Sequence, residues 1–170
     1  MLSRTHWGWS ALLDAARRPL PWPEEMLYLG PEGLGDTLVA LPTLRRIRRV
    51  APNTRVTWMA RTALEPIARM MGVDAFQNRD ERSRLDVRHF GAIIASADFE
   101  AAFFGGIERL ERVPVRIGPA GTRARPRVWN HLVKASRFGY PRHEAQRYLR
   151  RLLPFGCGQA ASAEELARDC

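Results

Sequence analysis

The sequence predicts an open α/β domain, with a mainly parallel sheet and helices on both faces. Three observations carry that expectation. Short strand-like runs at residues 26–30, 55–60 and 90–95 alternate with longer amphipathic stretches, the pattern of strand–helix–strand units. The chain has 170 residues, 45% of them hydrophobic, enough for one domain with a sizeable core. The first apolar run also leads straight into a glycine-rich turn and a helix, where an open sheet of this kind keeps its ligand crevice.

Taken in order, residues 1–25 are a preface. Trp7, Trp9, Leu12, Leu13 and Ala16 fall near helical spacing, Arg17 and Arg18 follow, and Pro19, Pro21 and Pro23 forbid continuation. Two readings stay open: an interfacial helix with tryptophan at headgroup depth, or a terminal segment packed on its own domain or poorly ordered. Residues 26–30 form the first strand and 36–50 the first helix. Leu38, Leu41, Leu44 and Ile47 share one face of that helix, while Arg45, Arg46, Arg48 and Arg49 cover the others. Pro42 predicts a kink or a restart.

Residues 55–60 contain good strand formers in alternation. Residues 62–71 follow as a helix with Leu64, Ile67, Ala68 and Met71 inward, and residues 73–76 as a short strand. Residues 77–88 are a charged loop with a helical turn, 90–95 a buried strand, and 97–110 a helix weakened by Gly105 and Gly106. Residues 113–118 form a further strand and 119–127 a basic loop; Trp129 and Asn130 receive no role. Residues 142–153 form an amphipathic helix with Ala145, Tyr148, Leu149 and Leu152 inward and Arg142, Arg147, Arg150 and Arg151 away, closed by Gly156 and Gly158. Ser162-Ala163-Glu164-Glu165 reads as a capping box that opens one more helix.

The formal net charge is +9, and every one of the 27 basic residues except Lys134 is arginine. Arginine is the planar, bidentate partner of phosphate and carboxylate, so an anionic partner is expected; a base-composition bias in the genome is an equal explanation for the missing lysine. Cys157 and Cys170 make no metal-binding spacing with the four histidines, so no metal or cofactor is expected and a reduced, cytoplasmic setting is. No run approaches the ~18 apolar residues of a spanning helix, and Asp14, Arg17 and Arg18 interrupt the N-terminus where a signal peptide would be apolar.

The turn Gly30-Pro31-Glu32-Gly33-Leu34-Gly35-Asp36-Thr37 nearly fits two phosphate-binding patterns and fails both. As a dinucleotide fingerprint it carries Leu38 where Gly or Ala is needed. As a P-loop it carries Asp36 where the phosphate-neutralising lysine belongs. What survives is a turn that exposes a carboxylate at a helix start. Asp36 is then either a helix cap or an ionised acceptor for a substrate proton.

Gly33-Leu34-Gly35-Asp36, then Leu41-Pro42-Thr43-Leu44, Pro52 before Val56-Thr57-Trp58, Val73-Asp74, Arg116-Ile117-Gly118 and Arg142-His143-Glu144-Ala145 with Arg147-Tyr148-Leu149 follow one another in an order that resembles the heptosyltransferases. These are glycosyltransferase family nine, enzymes of lipopolysaccharide inner-core synthesis. The resemblance covers residues 26–156 and implies a GT-B architecture of two Rossmann-like domains, of which this is the N-terminal, acceptor-side one.

It further implies an inverting, metal-independent transfer from a nucleotide-sugar donor to an anionic glycan or glycolipid. Asp36 is then the general base, and the backbone of Gly33, Leu34, Gly35 and Thr37 lies near the donor diphosphate. Arg116, Arg123, Arg125 and Arg127, with His143 and Asp98, are candidate acceptor contacts; a solvated basic loop is the equal alternative for the arginines.

On the same resemblance, residues 157–170 open an interdomain linker and the donor-binding domain is missing, so the chain alone is expected to be inactive or nearly so, and a separate chain could supply the other half. Peripheral contact with the inner face of the cytoplasmic membrane fits the preface. The competing function is a non-catalytic basic module for an anionic glycan, lipid headgroup or nucleic acid. Nucleic acid is disfavoured, since the arginines are scattered over several helices with no stacking-aromatic platform.

Overall fold

A computed structural model describes residues 18–96, 110–120, 128–133, 144–157 and 164. Six strands lie in one fully parallel sheet: β1 (Glu25–Leu29), β2 (Arg55–Ala60), β3 (Ala75–Asn78), β4 (Ala92–Ala95), β5 (Val115–Pro119) and β6 (His131–Val133). Their spatial order is β3-β2-β1-β4-β5-β6. The order reverses between β1 and β4, so the carboxyl ends of those two strands flank the topological switch of the sheet. Among the described residues the α-helices are α1 (Leu34–Val50), α2 (Glu65–Met70) and α3 (Glu144–Leu149), which tightens into a 3₁₀ turn at Arg150–Phe155.

Both faces of the sheet are covered, which is why the strands read as continuous apolar runs. Met26, Tyr28, Val56, Trp58 and Ile94 point to one face and pack with Ala40, Leu44 and Ile47 of α1 and with Tyr148, Leu152 and Phe155. Leu27, Leu29, Met59, Ile93 and Ala95 point to the other, against Val87, Phe90, Leu110 and Trp129. The proline-rich stretch before β1 is held to the C-terminal turn: Leu20 N–H donates to Pro154 O at 2.8 Å, and Trp22 stacks on Phe155 with centroids 4.4 Å apart.

Several boundaries and faces differ from the sequence expectation. The first helix starts two residues early and runs unbroken through Pro42. The third strand lies at Ala75–Asn78 because Asp74, expected inside it, accepts the Val56 N–H at 2.6 Å just before the ladder starts. Arg46 and Arg151, expected on solvent faces, are buried. Arg151 is 1% exposed; its Nη1 donates to Val133 O at 2.6 Å and its Nε to Ser96 O at 3.3 Å. The change from α to 3₁₀ winding at Arg150 rotates Arg151 inward. Burial pushes the Cys157 thiol up to about 11 against a partly offsetting Arg46 charge, so this sulfur is unreactive near neutrality. The strand β6 was not expected; the Asn130 side chain prepares it, accepting the Arg116 N–H at 2.7 Å and donating to Pro114 O at 2.7 Å.

Candidate functional site

The turn after β1 enters α1 at the switch point. Gly30 N–H donates to Met59 O at 2.9 Å, extending the β1–β2 ladder by one step. A Cβ on Gly30 would stand 2.3 Å from the Trp58 indole, so only glycine lets the chain pass over that ring. Trp58 in turn stacks on Tyr28, with ring centroids 4.7 Å apart. The turn therefore rests on a rigid aromatic floor.

Gly33 is the N-cap of α1 and, as glycine, supplies no side-chain cap. Asp36 thus stands in the first turn of the helix, and the capping alternative for it fails on position. The exposed Asp36 side chain folds back over Gly33, where a Cβ would meet its Oδ2 at 3.1 Å. Among the described residues nothing donates to or pairs with this carboxylate. Exposed backbone N–H groups and the helix dipole favour negative charge in this first turn. An uncommitted carboxylate at a crevice mouth can take a proton from a bound hydroxyl.

The other turn residues divide. Thr37 is fully buried and its Oγ1 donates to Gly33 O at 2.8 Å, so its hydroxyl shapes the turn rather than facing a ligand. Among the described residues nothing outside the helix's own backbone and the adjoining residues comes within 4 Å of a Cβ built on Gly35. Leu34 and Leu38 are each 52% exposed, one helical turn apart beside Asp36, and give the mouth an apolar lip.

Arg116 lies away from this mouth. It pairs in register with Ile93, and Ile93 with Leu27, near the middle of the strands. Its guanidinium donates to the carbonyls of Val128 (2.7 Å), Glu111 (3.1 Å) and Val113 (2.5 Å), fastening the segments around β5. Gripping an acceptor would require giving up those bonds. Asp98, Arg123, Arg125, Arg127 and His143 lie outside the described residues.

Sequence reasoning passed over three residues at the mouth. Glu32 pairs with Arg61, whose Nη2 lies 3.0 Å from its Oε2, and with Arg79 through its Oε1. Arg61 and Arg79 each directly follow a strand, β2 and β3, so position at strand ends was the available signal. Among the described residues no three His, Cys, Asp or Glu side chains converge in a metal-holding group, and no helix is long and apolar enough to cross a membrane.

A Rossmann-like parallel sheet with a carboxylate-bearing turn at its switch point defines the class. No protein-family model and no curated protein matches the chain. Solved structures do. The ADP-heptose lipopolysaccharide heptosyltransferase II of E. coli is similar at TM-score 0.61 and 17% identity, over 86% of this chain and 43% of that one. A family-nine glycosyltransferase of Veillonella parvula gives TM-score 0.61 and 14% identity, over 85% and 45%. The E. coli heptosyltransferase WaaC, solved with ADP-2-deoxy-2-fluoro heptose, gives TM-score 0.60 and 16% identity, over 85% and 53%. The chain spans about half the length of these structures. Its fold is that of the N-terminal portion of a family-nine glycosyltransferase.

Proposed function

We propose that this chain forms the acceptor-side wall of an inverting, metal-independent glycosyl-transfer site, with Asp36 as the general base. The observation that carries the reading is the exposed Asp36 carboxylate, unpaired among the described residues, in the first turn of α1 at the switch point of a sheet with the heptosyltransferase fold. In the step proposed, the Asp36 carboxylate takes the proton of an acceptor hydroxyl. The freed oxygen pair attacks the anomeric carbon of a nucleotide-sugar. The bond from that carbon to the diphosphate oxygen breaks on the opposite side, the nucleoside diphosphate leaves with its electron pair, and the configuration inverts.

ADP-heptose is the donor class to try first, because similar structures are described as acting on it or holding its fluoro analogue. The acceptor is a lipopolysaccharide-core or other cell-envelope glycan, met at the cytoplasmic face of the membrane. The competing basic-module reading is weakened by how the arginines are used. Arg48, Arg61, Arg69, Arg79 and Arg88 pair with carboxylates, and Arg116 and Arg151 with backbone carbonyls.

The test is sugar transfer, followed by mass spectrometry, from ADP-heptose to a core-glycan acceptor by the chain combined with a donor-binding half. Asp36→Asn keeps the shape and removes the base. Turnover should fall by about 10²–10⁴-fold with acceptor affinity retained. Undiminished turnover in Asp36→Asn sinks the assignment.

A further inference from the structure

We propose that Glu32 is a positioning residue: through a double arginine clamp it fixes the turn that carries Asp36. The inference rests on Asp36 being the base. The turn runs from Gly30 through Pro31 to the N-cap Gly33, the one turn residue between Pro31 and α1 with no side chain to hold it. Its internal ties all come from Thr37, whose N–H and hydroxyl both donate to Gly33 O, at 2.9 and 2.8 Å, while Gly33 contributes no side-chain cap. Glu32 supplies the lateral tie. Oε2 accepts from Arg61 Nη2 at 3.0 Å and Oε1 faces Arg79 Nη1, so one carboxylate next to the N-cap is held from the ends of two neighbouring strands.

The strands themselves gain little from this clamp, because β1–β2 and β2–β3 are already joined by continuous ladders. What the clamp restricts is Gly33, and the Asp36 carboxylate folds back over Gly33. A shift of the clamp therefore shifts the base. The two arms differ in strength. The Arg79 side chain is 11% exposed and that of Arg61 55%, so the Arg79 arm is the better shielded from solvent and the Arg61 arm is a screened surface pair.

Two measurements on Glu32→Gln and Arg61→Gln test the proposal. The first is hydrogen–deuterium exchange of the Thr37 amide, which is bonded to Gly33 O at 2.9 Å, in the chain itself, and it needs no transfer activity. Exchange should speed up about tenfold or more in Glu32→Gln and less in Arg61→Gln, with the amides of β1 and β4 unchanged. The second is the kinetics of the transferring enzyme. Turnover in Glu32→Gln should fall about 10- to 100-fold, with KM for donor and acceptor within about threefold of wild type. Unchanged exchange at the turn in both variants overturns the proposal. So does a raised KM with kcat retained, which would place the clamp in substrate binding. If Glu32→Gln does not fold, the surface variant Arg61→Gln alone decides, by the same signs. Absence of transfer in the wild type would count against Asp36 as base, while the exchange result would still judge the clamp.

Discussion

At the level of single residues, the turn contains glycines of opposite kinds. Gly30 is demanded from within, because a methyl group there would stand 2.3 Å from the Trp58 indole. Gly30→Ala must displace a fully buried ring that is itself stacked on Tyr28, and should cost about 1–3 kcal/mol, read as a lower urea midpoint. Gly35 is different: it is helical, and a Cβ there meets nothing within 4 Å among the described residues outside its own stretch of helix. Gly35→Ala should leave stability unchanged or raise it by up to about 1 kcal/mol. If the space over Gly35 is where a donor diphosphate approaches, the same variant should slow transfer while it stabilises the fold. A destabilised Gly35→Ala would mean that the turn packs otherwise than described.

At the level of elements, the end of α3 shows how a periodic pattern misleads. Residues 142–153 carry an amphipathic repeat that sends Arg151 outward, yet the winding tightens at Arg150 and Arg151 becomes one of the most buried side chains in the molecule. There it bridges the ends of β4 and β6 through Ser96 O and Val133 O. Arg151→Met keeps much of the apolar stem and removes both bonds. Its stability should fall by about 1–3 kcal/mol, the cost of leaving buried carbonyls without donors, with the denaturant m-value unchanged.

The same comparison shows what the sequence carried and what it did not. The strands β1 and β4 were legible because burial on both faces of a parallel sheet leaves an uninterrupted apolar signature, β2 because its strand formers alternate, and the helix α1 because Gly33 and Gly35 mark the turn between strand and helix. The three-residue β6 was not legible. Its support comes from the Asn130 amide and from Trp129, whose indole fills the space where a Gly118 Cβ would stand at 2.6 Å. Those are contacts across the chain, invisible in local propensity. At the candidate site, a carboxylate in the first turn after β1 was legible in the sequence as Asp36, its role as base only through the family resemblance, whereas Glu32, Arg61 and Arg79 were not legible. The ion pairs that join them link residues 29 and 47 positions apart, and only the sheet order brings them together.

Over the whole molecule the two ends of the sheet differ in what they expose. The carboxyl ends carry the exposed carboxylate and its open turn. The opposite ends carry a structural knot at Asp74. Arg48 of α1 donates to Thr54 O, Gly72 O and Asp74 Oδ2, while Asp74 also accepts the Val56 N–H, so one carboxylate joins the end of a helix to the starts of two strands. Burial alone would push the Asp74 carboxyl up, but the Val56 N–H and the Arg48 guanidinium outweigh it and hold the group below its usual value of 3.8.

A carboxyl that is more acidic in the folded state contributes stability above its unfolded value and loses it as the pH falls through the folded one. Stability should therefore decline from about pH 5 downward. Asp86 is also held low by Arg88, but that pair is exposed and adds little to the acid limb. Asp74→Asn still offers an oxygen to Val56 and loses the charge facing Arg48. With the pair a third exposed and screened by solvent, it should lower stability at pH 7 by up to about 1 kcal/mol and flatten the acid limb, so that the two proteins converge as the pH falls through the folded-state value of Asp74. Because Asp74 sits at the far end of the sheet from Asp36, transfer per folded molecule should be unchanged in this variant. An acid limb as steep as that of the wild type would remove Asp74 as its source, and a loss of transfer without a loss of stability would break the division of the sheet into a structural and a functional end.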